Sequence, residues 1–401
     1  MIKIYPFPAL RATAEYASKV AAMSTGMEGD EALQKELEEN PFSYLHIVKP
    51  HLHFNNSDVN QKVHYPFAKN YFRQMLEQNV IKRTPSNAMY IYSQTTPQGH
   101  IFEGLVTGIS FINYLEGQIK KHENTLADKE ERLMQHLQTL GAVGEPVLLA
   151  CQDSEELNHW IANNKTNSIF KFNMPDGHQH EVFEILDSET ISQVQSIFNN
   201  FNELYIADGH HRIAATTSYC TRLFTTQNKK VEDLLFMAYI IPESNLVIKS
   251  FHRLVANINQ SDIENLWAGN PNYSIEKISE PLQPSVKGEI GMYYQGQWYK
   301  IKIAAAFSEE LDVQFLDSQI FNLTLGIMDT RHDQRVTYLR GDTPLMQLEQ
   351  GIKTGEFQLA FTLFPNTMEE IKNIADAQKT MPPKSTWIEP KLPTGMIIQR
   401  F

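Results

Sequence analysis

Hydrophobic and polar positions alternate along several stretches of the chain, as they do in half-buried strands. The alternating run 88–93 faces a second apolar run, 101–111, across Pro97-Gln98-Gly99, which predicts a β-hairpin. The same pattern at 235–241 and 246–249 predicts a second hairpin. Further strands are predicted at 43–48, 146–151, 168–173, 180–186, 291–294, 298–304 and 358–364.

A helical period replaces this alternation between the strands. In the stretch 128–140, leucine recurs at helical spacing and Gly141 is a typical stop signal. Thr367 and Glu370 have the spacing of a capping box at the start of a helix at 368–377. Similar patterns predict helices at 155–162, 191–201, 318–325 and 344–353.

Together these elements predict an α/β (α+β) fold in which mixed sheets are flanked by helices. A chain of 401 residues exceeds the roughly 250 to 300 residues at which single cores stop growing, so we expect two intimately packed domains. We place an N-terminal α/β domain at 1–255 and a C-terminal α/β domain at 256–401. The tail of the second domain is expected to return to the functional site of the first.

The composition and net charge of the chain exclude several classes of protein. The chain has 35 Lys and Arg against 47 Asp and Glu, a formal net charge of -12, which opposes tight binding to nucleic acid or to an anionic membrane. The N-terminus lacks the apolar stretch of a signal peptide, and no segment approaches the roughly 18 apolar residues of a membrane span. We therefore expect a cytoplasmic protein. Cys151 and Cys220 are too few for a disulfide framework and are expected to be buried packing residues.

One corner of the chain concentrates its reactive side chains. An apolar, strand-like run ends in Asp208, Gly209, His210, His211 and Arg212, after which a helical pattern begins. Glycine permits a tight bend, and the N–H groups at a helix start attract anions, so we predict a site for a phosphate or a metal-phosphate complex. The alternative is structural, because an Asp-Gly pair is a common turn and adjacent histidines can cap a helix.

A second candidate segment stands at the entrance of the helix predicted at 128–140. His122 and Glu123 place a base and an acid side by side within the charged run 120–125. The segment lacks the second histidine of the zinc-peptidase motif His-Glu-x-x-His, so it does not match that motif. A charged surface run without further function is the alternative.

A third candidate lies near the C-terminus. Lys384, Ser385 and Thr386 follow two prolines, which stiffen the backbone, and a cation with two hydroxyls is able to bind a phosphate or carboxylate. A tail that only completes a sheet explains the same residues.

Four motifs follow one another from one end of the chain to the other. They are Asn40-Pro41-Phe42-Ser43-Tyr44-Leu45-His46, Glu116-Gly117-x-Ile119-Lys120-x-His122-Glu123-x-Thr125, Tyr205 to Arg212, and Met381 to Thr386 with Pro390-Lys391-Leu392-Pro393. In this order they resemble the signatures of the bacterial family known as domain of unknown function 1015.

The corner from Asp208 to Arg212 also resembles the phosphate-facing motif of the ParB and sulfiredoxin-like superfamily, which includes nucleotide-dependent free-serine kinases and nucleotide-hydrolysing partition proteins. This resemblance implies a ParB/sulfiredoxin-like core element with nucleotide phosphates against the backbone from Gly209 to Arg212. It implies Arg212 as the cation and Asp208 as a magnesium ligand or base.

Two positions depart from the family pattern. Family members typically read Val-Ala-Ala-Pro-Pro-Tyr-Asp where this chain has residues 20–26, and Tyr-Glu where it has Ile213-Ala214. Both departures remove an acidic residue. A role of either acid in relatives is therefore rerouted or lost in this chain.

The leading hypothesis is a protein that binds a nucleotide, ATP or ADP with Mg²⁺, and transfers phosphate to a small hydroxylated metabolite such as a hydroxy amino acid. Such catalysis needs cations, a metal ligand and a base that orients the acceptor. Arg212 and Lys384 would supply charge, Asp208 the metal contact, and Glu123 or His122 the proton acceptor.

Two alternatives belong to other functional classes. A nucleotide-sensing regulatory module without turnover accounts for the missing acids. A metal-dependent hydrolase would use Asp208, His210, His211 and His122, because histidine and carboxylate together bind zinc or manganese and activate water.

Overall fold

A computed structural model of the chain describes residues 1–24, 30–54, 61–227 and 229–401. The architecture is mixed α/β with several sheets, which confirms the predicted fold class. The chain divides into two units: the first contains residues 1–246 and 390–401, and the second contains residues 247–389.

Strands and helices recur along the described chain. The strands are β1 Ile4–Tyr5, β2 Ala9–Ala12, β3 Ile81–Arg83, β4 Met89–Thr95, β5 Ile101–Ser110, β6 Ile119–Lys120, β7 Ala142–Val143, β8 Val147–Cys151, β9 Ser168–Asn173, β10 Gln179–Ile185, β11 Leu204–Asp208, β12 Leu235–Pro242, β13 Val247–Lys249, β14 Phe251–Val255, β15 Tyr273–Ile278, β16 Glu289–Tyr294, β17 Gln297–Ile303, β18 Val336–Arg340, β19 Leu359–Leu363, β20 Trp387–Glu389 and β21 Ile397–Arg400. The helices are α1 Ala17–Val20, α2 Asp30–Glu39, α3 Leu45–Val48, α4 Gln61–Glu77, α5 Phe111–Leu115, α6 Ala127–Leu140, α7 Glu155–Asn163, α8 Ser188–Phe198, α9 His210–Gln227, α10 Gln260–Glu264, α11 Asp312–Phe315, α12 Leu345–Lys353 and α13 Met368–Asp376, with a π-helical segment at Leu316–Asn322.

The main sheet of the first unit has nine strands, in the order β6-β11-β8-β12-β5-β4-β10-β9, with β1 paired to β5. It is mixed, because β11 runs parallel to β6 and antiparallel to β8. Every residue of β8 and β12 is buried, and Trp160 of α7 and Phe198 of α8 belong to the same core. Strands covered on both faces carry continuous apolar runs rather than alternation.

A second sheet of the first unit brings in the end of the chain. Its order is β3-β2-β21-β7, and β21 pairs with both β2 and β7. The tail 390–401 is therefore held within the first unit by strands from near the N-terminus and from the middle of the chain.

The second unit is built on a six-stranded antiparallel sheet in the order β15-β17-β16-β19-β14-β18. Leu254, Tyr293, Trp298 and Ala360 of this sheet share a core with Leu348 of α12. Strands β13 and β20 form a separate two-stranded sheet.

Several predicted elements are confirmed. Strands β4 and β5 pair as the predicted hairpin, from Tyr90 opposite Val106 to Thr95 opposite Ile101. Helix α13 begins with the predicted capping box, in which the Thr367 side chain accepts from the Glu370 amide. Both cysteines are buried. None of the helices within the described ranges combines the length and apolar character needed to cross a membrane.

Two predicted elements are wrong. The hairpin of 235–241 with 246–249 does not form, because β12 pairs with β5 and β8 whereas β13 pairs with β20. The strand predicted at 43–48 is instead helix α3. Its residues Leu45, His46 and Ile47 are all buried, so packing against neighbouring residues overrides their strand-like composition.

The boundary between the units differs from the division into 1–255 and 256–401. Residues 247–255 lie in the second unit, because β14 pairs with β18 and β19. Residues 390–401 lie in the first unit, because β21 pairs with β2 and β7.

Candidate functional site

The corner between β11 and α9 is shaped by one glycine. Leu204 to Ala207 are buried in the main sheet, and Gly209 adopts a φ of +101° before α9 begins at His210. A Cβ atom at Gly209 would lie 2.7 Å from Nε of Arg212. Position 209 therefore needs glycine both for its backbone conformation and for the space that the guanidinium fills.

Carboxylates and cations alternate around this corner. Asp208 Oδ2 lies 2.6 Å from Nη2 of Arg212, and Asp208 Oδ1 lies 2.8 Å from Nζ of Lys391. Arg212 also contacts the carboxylate of Glu145, whose Oε2 accepts a 2.9 Å hydrogen bond from the Ser24 hydroxyl. Burial lowers the pKa of Arg212 to about 10, so the guanidinium is charged at neutral pH. We call Asp208, Arg212, Lys391 and Glu145, together with the Ser24 hydroxyl, the charged cluster.

Tyr44 packs against the backbone beside two members of the charged cluster. A Cβ atom at Gly144 would lie 2.5 Å from Cε1 of its ring, and a Cβ atom at Gly395 would lie 2.6 Å from Cγ of its ring. The Gly144 carbonyl accepts hydrogen bonds from the Gly395 amide and the Thr394 hydroxyl. The segments that carry Glu145 and Lys391 are thus joined directly, and Tyr44 fills the space that two side chains would occupy.

His122 and Glu123 lie beside the first turn of α9. The His122 amide donates to Nε2 of His210 at 3.4 Å, and the two rings meet edge to face at a centroid distance of 4.5 Å. Nδ1 of His210 lies 3.6 Å from Oε2 of Glu123. Further along, the Leu126 amide donates to Nε2 of His211 at 3.1 Å.

Burial keeps the histidines of this site neutral. It lowers the pKa of His122 to about 4 and moves the pKa of His210 well below the usual 6.5. Burial also lowers the pKa of His211. His122 is 1% exposed, and among the described atoms its Nδ1 has no hydrogen-bond partner. Glu123, with a side chain 34% exposed, is therefore the more accessible of the two predicted proton acceptors.

The third predicted segment belongs to the second unit. Lys384 is exposed, adopts a φ of +53°, and its Nζ lies 5.2 Å from the ring centroid of Phe251. The Ser385 hydroxyl donates to the carbonyl of Pro382, and Nη2 of the buried Arg253 donates to the carbonyl of Lys384. Thr386 is half-buried. These contacts stabilise the turn itself.

The first unit thus brings together two of the three predicted segments, 122–123 and 208–212. It adds Glu145 and Lys391, which sequence reasoning missed as site residues. Lys391 had one signal, since it stands between prolines in the motif 390–393. Glu145 had none beyond its position before a buried strand.

Within the ranges that the structure describes, no group of three or more His, Cys, Asp or Glu residues is arranged to hold a metal ion. Nε2 of His210 and Nε2 of His211 each accept a backbone hydrogen bond instead. The ligand set of the hydrolase hypothesis is therefore not assembled. Asp208, at the end of β11, contacts Arg212 and Lys391 instead.

Comparison with known families decides the classification. The family model described as protein of unknown function (DUF1015) matches residues 4–319, more than half of the chain. The chain belongs to this family. For this DUF1015 protein the matched range includes the corner, His122, Glu123 and Glu145, whereas the motif at 381–386 and Lys391 lie beyond it.

Solved structures resemble the DUF1015 protein at low identity. A free serine kinase variant in complex with AMP is 13% identical over 74% of this chain and 91% of that chain, with a TM-score of 0.40. SbnI with a C-terminal truncation, from Staphylococcus aureus, is 11% identical over 72% of this chain and 87% of that chain, with a TM-score of 0.39. A conserved hypothetical protein from Pyrococcus furiosus is 14% identical over 73% and 95% respectively, with a TM-score of 0.38. No curated protein sequence matches the chain.

Proposed function

We propose that the corner between β11 and α9 binds the phosphates of a nucleotide, ATP or ADP with Mg²⁺, and that the protein transfers phosphate to a small hydroxylated metabolite. The observation that carries this proposal is the meeting of Arg212 and Lys391 on Asp208 at the start of an eighteen-residue helix. Two cations and the N–H groups of a helix start together favour a multiply charged anion.

The donor set at the corner suits magnesium in a phosphate complex. Mg²⁺ commonly binds proteins through one or two carboxylates and takes its other ligands from water and substrate phosphates. Asp208 would hold it, and the metal would neutralise charge on the phosphate oxygens. Arg212 and Lys391 would then stabilise the negative charge on the phosphates that the metal ion does not neutralise.

Glu123 is the proposed proton acceptor. As the acceptor hydroxyl loses its proton to the Glu123 carboxylate, its oxygen forms a bond to the terminal phosphorus. The bond from that phosphorus to the bridging oxygen breaks, and the shortened nucleotide, which is ADP when ATP is the donor, leaves with the electron pair. His122 is a weaker candidate because it is only 1% exposed and is therefore hardly accessible to an acceptor hydroxyl.

The resemblance of residues 208–212 to the ParB and sulfiredoxin-like motif supports the same assignment. The backbone from Gly209 to Arg212 would contact the phosphates. The participation of Lys384, Ser385 and Thr386 stays a prediction, as does a cytoplasmic location.

Calorimetric titration with ADP and ATP in the presence of Mg²⁺ tests the proposal. Arg212→Gln is expected to weaken binding by roughly 10- to 100-fold, the loss typical of a hydrogen bond to a charged group. Arg222→Gln is the matched control, because Arg222 is an exposed arginine of the same helix outside its first turn.

Arg212→Gln also leaves Asp208 and Glu145 without one partner, so its fold needs a separate check by circular dichroism. A folded Arg212→Gln protein that binds nucleotide as tightly as the Arg222→Gln control contradicts the proposal. Retained binding would show that the phosphates contact another part of the protein.

A nucleotide sensor without turnover is the second candidate. It is favoured by Ile213 and Ala214, which stand where relatives carry Tyr-Glu and are both buried. A panel of hydroxylated amino acids with MgATP separates the two functions, since only a kinase forms a phosphorylated product.

A further inference from the structure

Two histidine rings hold the loop between β6 and α6 against the first turn of α9. Near one end of the loop, the His122 amide donates to Nε2 of His210 at 3.4 Å. At the other end, the Leu126 amide donates to Nε2 of His211 at 3.1 Å. Glu123 lies between these two contacts, so its backbone is fixed on both sides.

The donors determine which ring nitrogens carry protons. A backbone amide can only donate, so Nε2 of each ring must present a lone pair. Each neutral ring then carries its proton on Nδ1. Nδ1 of His210 lies 3.6 Å from Oε2 of Glu123, beyond hydrogen-bonding distance. The ring of His210 thus fixes the backbone of the loop and lies beside the Glu123 side chain.

These contacts are incompatible with a direct phosphate contact through Nε2 of either ring. A phosphate oxygen accepts hydrogen bonds, and neither Nε2 has a proton to donate while it accepts from an amide. His210 is also 5% exposed, which leaves little of its ring accessible to a ligand.

We infer that His210 and His211 are positioning residues that anchor the loop 121–126 and thereby set the Glu123 carboxylate beside the start of α9. The anchoring follows from the contacts alone, whereas the role of Glu123 as proton acceptor rests on the proposed function. In this arrangement the two histidines of the corner position the proton acceptor, whereas Arg212 and Lys391 contact the phosphates.

Hydrogen–deuterium exchange of the full-length protein without ligand tests the anchoring directly. In His211→Gln the amide oxygen takes the place of Nε2 and still accepts from Leu126. In His211→Asn the polar group sits at the position of Nδ1, and that hydrogen bond is lost. We expect peptides covering 121–127 to exchange about three- to tenfold faster in His211→Asn and near the wild-type rate in His211→Gln.

Both variants introduce an amide of similar polarity, so a general loss of stability affects them alike. Exchange in the middle of α9 serves as the internal reference for the fold. Equal exchange of 121–127 in His211→Asn and His211→Gln would overturn the anchoring role.

Nucleotide titration of the same two variants separates this inference from the proposed function. Positioning residues leave nucleotide affinity within about twofold of wild type, whereas phosphate ligands lose affinity in both variants. If wild-type protein binds no nucleotide, the proposed function fails while the exchange result still stands. If both variants lose affinity at unchanged loop exchange, the histidines are phosphate ligands and the inference fails.

Discussion

At the start of α9, individual charged side chains each contact more than one partner of opposite charge. Asp208 contacts both Arg212 and Lys391, and Arg212 contacts both Asp208 and Glu145. Removing one member of a largely buried ion pair costs more than the pair contributes, because the remaining charge loses its partner. Substitutions in the charged cluster therefore need controls that separate loss of binding from loss of fold.

Gly209→Ala tests how closely the corner is packed. The φ of +101° disfavours any side chain, and the new Cβ would lie 2.7 Å from Nε of Arg212. We expect the free energy of unfolding to fall by about 2 kcal/mol, from backbone strain and displacement of the guanidinium. Urea unfolding followed by circular dichroism measures the change.

Gly117→Ala is the control for strain alone. Gly117 has a φ of +75°, and nothing lies within 4 Å of its Cβ position. We expect Gly209→Ala to be the more destabilising change and to weaken nucleotide binding as well. If the two variants lose equal stability and nucleotide binding is unchanged, the position of the Arg212 side chain does not depend on the absence of a Cβ atom at residue 209.

At the scale of elements, the short helix α11 contains a buried acid. Asp312 is 4% exposed and accepts hydrogen bonds from the Gly288 amide through both carboxylate oxygens. Burial nevertheless raises its pKa to about 6. The folded state therefore retains a proton that the unfolded chain releases near pH 4, and stability falls as pH rises from about 4 to 6.

Asp312→Asn is expected to remove this decline, because the amide oxygen still accepts from Gly288 and carries no charge. Relative to wild type, the variant gains up to about 3 kcal/mol between pH 4 and pH 7, the value of a shift of roughly two pKa units. Tryptophan fluorescence during urea unfolding reports it, since Trp267, Trp298 and Trp387 all lie in the second unit.

Asp333→Asn supplies a control of opposite sign. Hydrogen bonds from Arg335 lower the pKa of Asp333, so its contribution to stability is present above the unfolded pKa and lost as pH falls. We expect this variant to lose stability relative to wild type as pH rises. The same sign in both variants would contradict the assigned protonation states.

Elements with local signals were predictable from sequence, and those that depend on distant partners were not. The capping box of Thr367 and Glu370 lies within one turn, and the β4–β5 hairpin within a short chain segment. Strand β12 was recognised as a strand but given the wrong partner, because β5 and β8 are distant in sequence. A continuous apolar run identifies a buried strand without identifying its neighbours.

At the scale of the whole molecule, the first unit is built from two separate parts of the chain. Residues 390–401 join residues 1–246 through β21, and they bring Lys391 to Asp208 across 183 positions of sequence. The return of the tail to the site was expected, but a pattern read along the chain does not show which residue of the tail makes the contact. This is why Asp208 and Arg212 were predicted as site residues and Lys391 was not.

The balance of charges at the corner has a consequence for the rate of ligand association. Asp208 and Glu145 cancel the charges of Arg212 and Lys391 at short range, whereas the whole chain carries -12. An approaching nucleotide anion is then repelled over long distances, because the corner attracts it only at short range, and dissolved salt screens that repulsion. Stopped-flow measurements should show association becoming faster as sodium chloride rises from roughly 20 to 200 mM, contrary to the slowing expected of a site that attracts anions from a distance.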